Sequence, residues 1–129
     1  MSVLALYQRQ FQDAGLVADA EQRAAAERLD EVRAALVAAG PLPAQSWLHR
    51  LRGARRPPVR GLYLWGDVGR GKTWLLDLFF HALPFADKHR WHFHRFMQAM
   101  HGELGGLKGT ADPMRRVAAR LMGGARVLC

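Results

Sequence analysis

The hydrophobic pattern of the first part of the chain is that of two helices. A first helix is predicted from about Val3 to Asp13, with a break at 14–15. In the second helix, Asp19 is the expected N-cap and the Gly-Pro-Leu-Pro sequence at 40–43 is the expected end. Its apolar and alanine positions recur at helical spacing: Ala25, Leu29, Val32, Leu36 and Val37. Because this face is shallow, we expect it to pack against the rest of the chain rather than on a membrane or a separate partner.

Past this helical part, the pattern changes to a short apolar run followed by a strongly apolar helix. The run at 61–65 predicts a core strand, and residues 72–83 predict a helix that stops before a proline. The Pro57-Pro58 pair that introduces the strand marks a boundary. We therefore expect an N-terminal helical segment over residues 1–56 and a second part over residues 57–129.

Two further strands and one further helix are predicted downstream. Residues 90–96 alternate in the manner of a strand, which would put Trp91, Phe93 and Arg95 on one face and His92, His94 and Phe96 on the other. Asp112 is the expected N-cap of a helix with Pro113 at its first position, and an apolar strand is expected at 125–129. This order of strands and helices favours an α/β fold with a parallel sheet.

A phosphate-binding motif lies between the apolar run and the helix that follows it. Its residues fit the pattern G-x-x-x-x-G-K-[ST] and are Gly66, Asp67, Val68, Gly69, Arg70, Gly71, Lys72 and Thr73. The glycines let backbone N–H groups turn toward phosphate without obstruction. Lys72 would reach the β- and γ-phosphates, and the Thr73 hydroxyl would ligate Mg²⁺. The sequence therefore predicts a site for a nucleoside triphosphate at the positive end of a helix.

Two blocks in roughly the middle third of the chain carry a family resemblance. The first is the apolar run, phosphate loop and helix at 61–80, and the second is 92–97, His-Phe-His-Arg-Phe-Met, with His101 and Glu103. Together they resemble the ZapE-type division-associated ATPases and their mitochondrial relatives. Asp67 departs from that pattern, in which a small residue is expected, and puts a carboxylate near the phosphates while leaving the backbone cradle intact.

The resemblance implies a P-loop ATPase of the AAA+ type. Its ligands would be ATP and Mg²⁺, with Lys72 as the catalytic residue of the loop and the metal held through Thr73. The resemblance further implies that hydrolysis remodels a protein client, the tubulin-like division protein FtsZ, with peripheral association at the inner membrane. An oligomeric state is compatible with this family.

The acidic residues of a Walker B motif are not found in this sequence. In the family that the chain resembles, the strand at 125–129 would lead into an Asp-Glu pair, yet no Asp or Glu follows Asp112. These carboxylates hold the Mg²⁺-bound water and activate the attacking water. We therefore expect a chain truncated before Walker B, with an incomplete sheet. Two alternatives stay open: a fragment that binds nucleotide without hydrolysis, and a DNA-associated ATPase of the helicase-loader kind.

The net charge is +8 with neutral histidines, and arginine supplies almost all of it. The densest cluster, at 50–60, could contact nucleic acid. Arginine replaces lysine nearly everywhere, however, so we attribute the charge to composition in preference to a nucleic-acid role. Half of the residues are hydrophobic without a run of membrane-spanning length, the first residues lack the features of a signal peptide, and Cys129 is the single cysteine. A cytoplasmic protein is expected.

The histidines between residues 89 and 101 raise the question of a metal site. His92 and His94 would share a face of the predicted strand, with His89 and His101 nearby in sequence. No carboxylate or cysteine completes a recognisable zinc spacing. We therefore expect histidines satisfied by hydrogen bonds on a buried strand, with His94 or Arg95 near the nucleotide end of the sheet by resemblance.

Overall fold

A computed structural model describes residues 1–15, 19–41 and 57–129 of the chain. These residues form five helices and two short strands. In chain order they are α1 (Val3–Ala14), α2 (Ala20–Ala39), α3 (Lys72–Ala82), β1 (Lys88–His89), α4 (Phe93–Gly106), α5 (Pro113–Met122) and β2 (Val127–Leu128).

The first two helices begin and end at residues with ordinary capping chemistry. The Ser2 hydroxyl accepts a hydrogen bond from the Ala5 N–H at the start of α1, and Gly15 ends that helix in a left-handed conformation. At the start of α2, the Asp19 carboxylate accepts from the Glu21 N–H at 2.8 Å. The predicted cap at Asp19 is confirmed, and so is the end of α2 at Gly40.

Helices α1, α2 and α3 pack against one another in a compact unit that spans Met1–Pro84. Their buried side chains form one apolar core: Val3, Tyr7, Ala26, Leu29, Leu36, Leu75, Leu78, Phe79, Ala82 and Leu83. An aromatic cluster of Tyr7, Phe11 and Trp74 joins α1 to α3, with ring centroids 4.6 to 5.7 Å apart. The expectation that the N-terminal helices pack against the following part of the chain is confirmed.

A second compact unit spans Phe85–Cys129 and contains a two-stranded parallel sheet. β1 pairs with β2 so that Lys88 lies opposite Val127, and the ladder continues where the Trp91 N–H donates to the Cys129 carbonyl. The Arg126 guanidinium donates to the Asp87 carboxylate at 3.0 Å. Helices α4 and α5 pack on each other in the same unit. The predicted strand at 125–129 is therefore present, although shorter than expected.

The predicted strand at 61–65 is not formed. These residues take no regular secondary structure, and Leu62, Tyr63 and Trp65 are exposed. A strand exists only through hydrogen bonds to a neighbour, and no other described segment pairs with this one. A hydrophobic run of this length is therefore not sufficient to predict a strand.

The predicted strand at 90–96 is wrong, because none of these residues lies in a strand. β1 ends at His89, and α4 begins at Phe93. Phe93, Phe96 and Met97 start a series with three-and-four spacing that continues to Met100 and Leu104, which is the pattern of a helix. The alternation of residue types over 90–96 arises because four of these seven residues belong to the start of α4. The predicted assignment of Trp91, Phe93 and Arg95 to one strand face falls with it.

The observed architecture is therefore helical with a small parallel sheet, consistent with an incomplete α/β fold. The helix predicted after Asp112 is confirmed as α5, with Pro113 at its first position. The compact units divide at Pro84, whereas the boundary predicted near residue 56 borders a segment outside the described residues and stays a prediction. Among the described residues, no helix combines the length and the apolar character needed to cross a membrane.

Candidate functional site

The phosphate-loop motif forms a turn that leads directly into α3. Gly66, Gly69 and Gly71 have φ angles of +148°, +81° and +77°, a region that residues with a Cβ atom disfavour. Gly71 is the N-cap of α3, and no side chain caps the helix there. The unpaired N–H groups of the first helical turn are therefore open to an external anion, which the helix dipole would also attract.

The loop backbone before the helix is similarly open. Among the described residues, no backbone carbonyl accepts a hydrogen bond from the N–H groups of residues 67–70. The side chains of these residues are exposed, and Val68 is fully so. A loop of unpaired N–H groups with glycines at its turns has the chemistry of an anion cradle.

Lys72 lies across this loop. Its Nζ donates hydrogen bonds to the carbonyl of Gly66 at 2.8 Å and to that of Asp67 at 2.5 Å. The ammonium group is thus held at the loop by neutral acceptors, and a phosphate oxygen would be a stronger, charged acceptor. Thr73 follows in the first turn of α3 and is exposed.

Helix α2 contacts the other side of the loop. The Gln22 side-chain amide donates to the Arg70 carbonyl at 3.2 Å, and the Arg70 guanidinium lies 3.6 Å from the Glu21 carboxylate. A shallow cavity of about 80 Å³ lies between α2 and the loop, with Ala25 and Lys72 in its lining. This volume is far below that of ordinary ligand pockets, so the described residues do not enclose a ligand at this position.

Sequence reasoning found the loop but missed its support from the N-terminal helices. Gln22 and Glu21 lie 48 and 49 residues before Arg70 and carry no motif. Trp74 was expected only as a member of an apolar helix, yet its indole N–H donates to the Gln10 side chain at 2.6 Å. The one signal available was the predicted packing of the N-terminal helices on the rest of the chain.

The histidines do not lie on a buried strand. His92 is the N-cap of α4, His94 lies in its first turn, and their exposed rings stack with centroids 6.1 Å apart. Within the residues that the structure describes, no group of three histidine, cysteine or acidic side chains comes together. The expected placement of His94 and Arg95 on a strand is wrong, because both residues belong to α4, and their position near the nucleotide end of the sheet stays a prediction.

Comparison with known families identifies the chain. The model of the AFG1-like ATPase family matches residues 1–129. The chain belongs to the AFG1-like ATPase family. Membership confirms the resemblance to the ZapE-type ATPases that the two sequence blocks carry.

Curated relatives come from bacteria and eukaryotes. The cell division protein ZapE of Escherichia coli K12 is 55% identical over 75 residues, which are 58% of this chain and 20% of that protein. The lactation elevated protein 1 homolog B of Danio rerio is 40% identical over 65 residues, 50% of this chain and 13% of the relative. An uncharacterized Schizosaccharomyces pombe protein is 54% identical over 44 residues, 33% of this chain and 10% of its own length. No solved structure matches.

Proposed function

We propose that this chain binds ATP with Mg²⁺ at residues 66–73. The observation that carries the proposal is the loop geometry, in which three glycines at positive φ, the uncapped start of α3 and the Lys72 ammonium surround one open turn. The family of ATPases to which the chain belongs supports the same ligand. This assignment includes every residue of the motif: Gly66, Asp67, Val68, Gly69, Arg70, Gly71, Lys72 and Thr73.

Each loop residue has a distinct role in this proposal. Lys72 exchanges its carbonyl partners for phosphate oxygens and neutralises charge on the β- and γ-phosphates. The Thr73 hydroxyl is the ligand for Mg²⁺, which accepts oxygen donors of this kind. Asp67 contributes its backbone N–H, and its exposed carboxylate lies in solvent beside the loop.

The wider activity proposed is that of an ATPase linked to cell division. The chain spans 20% of the length of ZapE of Escherichia coli, whose name identifies that relative as a cell division protein. We propose that the protein uses ATP hydrolysis to remodel a protein client in the cytoplasm. FtsZ as that client, association with the inner membrane and assembly into an oligomer rest on the family resemblance alone.

A second candidate function is nucleotide binding without hydrolysis. Binding alone requires only the groups that the loop provides, namely its glycine backbone and the Lys72 ammonium. Hydrolysis by P-loop ATPases further requires a carboxylate near the metal and a polar residue that orients water. A DNA-associated role is weaker, because the loop arginine, Arg70, faces the Glu21 carboxylate. Most of the arginine cluster at 50–60 lies outside the described residues.

A paired assay of ATP binding and ATP turnover separates these functions. Binding of Mg-ATP in calorimetry with phosphate release at about one per second or faster, the low end for typical enzymes, supports the ATPase, whereas binding with far slower release supports the non-hydrolysing alternative. Turnover at or above that rate would refute the non-hydrolysing alternative for this polypeptide. Stimulation of turnover by DNA, with a steep dependence on salt, would favour the DNA-associated class instead.

A further inference from the structure

The phosphate loop is held at one backbone carbonyl by a side chain from α2. The Gln22 amide nitrogen donates to the Arg70 carbonyl oxygen at 3.2 Å. Gln22 is half-buried, and it lies in the first turn of α2, whose start is fixed by the Asp19 cap. The Tyr7 hydroxyl also donates to the Asp19 carbonyl, which ties this end of α2 to α1.

This hydrogen bond also fixes the direction of the Gly71 N–H, because a peptide unit is planar. The Arg70 carbonyl and the Gly71 N–H belong to the same peptide, and the structure contains no cis peptide bond among its described residues. In a trans peptide the C=O and the N–H point in opposite directions. With the carbonyl directed toward Gln22, the Gly71 N–H is directed away from α2.

The absence of a side chain at Gly71 makes room for this contact. A Cβ atom at Gly71 would lie 3.0 Å from the Gln22 amide nitrogen. Glu21, the neighbour of Gln22, faces the Arg70 guanidinium at 3.6 Å and provides a second link between α2 and the same loop residue. Adjacent residues of α2 thus make two contacts with Arg70, one at its backbone carbonyl and one at its guanidinium.

We infer that Gln22 is a positioning residue of the phosphate loop. Its amide orients the Arg70–Gly71 peptide so that the Gly71 N–H is available to a phosphate oxygen, and the N-terminal helix pair thereby sets the affinity of the loop for the triphosphate chain. The inference rests on the proposed binding of ATP at residues 66–73. Gln22 contacts the loop backbone and acts on phosphate through it.

The test compares Gln22→Met with Gln12→Met. Methionine keeps the length and bulk of glutamine but cannot donate a hydrogen bond. Gln12 is an exposed residue of α1 and serves as the matched control. The Gln22 variant should weaken the binding of ATP, and of tripolyphosphate as a probe without a base, by roughly two- to tenfold, the range for one lost hydrogen bond. The control should bind both as the wild-type chain does.

A nuclear magnetic resonance readout separates positioning from a general loss of structure. In the nucleotide-free chain, Gln22→Met should shift the Gly71 amide resonance strongly while leaving the glycines outside the loop, such as Gly61, unchanged. If Gln22 had only a structural role, Gln22→Met would shift resonances across α1 and α2. The loss of helix packing would also lower the midpoint temperature of thermal unfolding. If Gln22→Met fails to fold, Gln22→Ala removes the amide without adding bulk and takes its place.

The outcomes distinguish this inference from the proposed function. Unchanged affinity for ATP and tripolyphosphate in a folded Gln22 variant, together with a tenfold or greater loss in Lys72→Ala, would overturn the role of Gln22 alone. Equal affinity of Lys72→Ala and the wild-type chain, or no binding by either, would overturn both. A loss in Gln22→Met with a local shift at Gly71 supports both.

Discussion

At the scale of single residues, Gly71 combines two requirements in one position. Its φ of +77° lies in the left-handed region, and the Gln22 amide occupies the space beside its Cα. An alanine at this position would add backbone strain and would displace the end of the Gln22 side chain. The displaced amide would lose its hydrogen bond to the Arg70 carbonyl. The motif glycine is therefore needed for the local conformation as well as for access to phosphate.

Gly71→Ala should lower the free energy of unfolding by about 1–2 kcal/mol, the cost of a left-handed conformation with a Cβ atom. Chemical denaturation measures this change. Gly61→Ala is the control, because Gly61 lacks a positive φ and has open space around it, and a surface change of that kind is worth less than about 0.5 kcal/mol. Equal stability of Gly71→Ala and Gly61→Ala would show that the loop does not hold this conformation in solution.

The loop was predictable from the sequence because its chemistry is local. A run of eight consecutive residues fixes the turn, the lysine and the start of α3. The Gln22 contact was not predictable, since it joins residues 48 apart through packing that no pattern in either segment specifies. The same limit applies to the hydrogen bond between Trp74 and Gln10.

At the scale of elements, the two N-terminal helices are tied together at the start of α1. The Asp30 carboxylate of α2 accepts hydrogen bonds from the Val3 N–H and from the Arg33 guanidinium, both at 2.9 Å. Burial raises the pKa of Asp30, but the bonds from Arg33, Val3 and Ser2 outweigh it and leave that pKa below its ordinary value. The carboxylate therefore stabilises the helix pair in its ionised form.

This contribution should depend on pH in a defined direction. Between the lowered pKa of the folded state and the ordinary pKa near 3.8, the unfolded chain binds more protons, so stability falls as pH falls. Asp30→Asn should lower the free energy of unfolding by about 1–3 kcal/mol at neutral pH, which is the contribution of hydrogen bonds to a charged group. This difference in stability from the wild type should shrink when the pH falls below the ordinary pKa of the carboxyl group. Thermal unfolding across the acid range measures it. Asp13→Asn, an exposed change on α1, should show no comparable effect, and parallel curves for wild type and Asp30→Asn would contradict the account.

The helices were easier to predict than the strands. The cap at Asp19, the glycine at the end of α2 and the Asp112-Pro113 start of α5 are signals within a few residues, and all three positions are confirmed, although the Asp112 side chain makes no capping hydrogen bond within the described residues. Strands depend on a partner elsewhere in the chain. Residues 61–65 have no such partner among the described residues, and 90–96 follow the end of β1 and include the start of α4.

At the scale of the whole molecule, the loop and the residues that support it belong to one compact unit. Gln22 of α2 contacts the loop, and Gln10 and Tyr7 of α1 contact Trp74 in the first turn of α3, all within Met1–Pro84. Ligand binding to that loop should therefore stabilise the unit as a whole. The stabilisation grows with ligand concentration and reaches about 2.7 kcal/mol when ATP is at 100 times its dissociation constant.

The most direct measurement is thermal unfolding of the wild-type chain and Lys72→Ala with increasing Mg-ATP. The wild-type chain should unfold at progressively higher temperature as Mg-ATP is added. Lys72→Ala should show no shift, because it lacks the ammonium group that, in our proposal, leaves the Gly66 and Asp67 carbonyls to bind phosphate. Lys108→Ala, which removes an exposed lysine from the Phe85–Cys129 unit, should behave as the wild type does. An equal shift in Lys72→Ala, or no shift in the wild-type chain, would contradict the assignment of residues 66–73 as the ATP site.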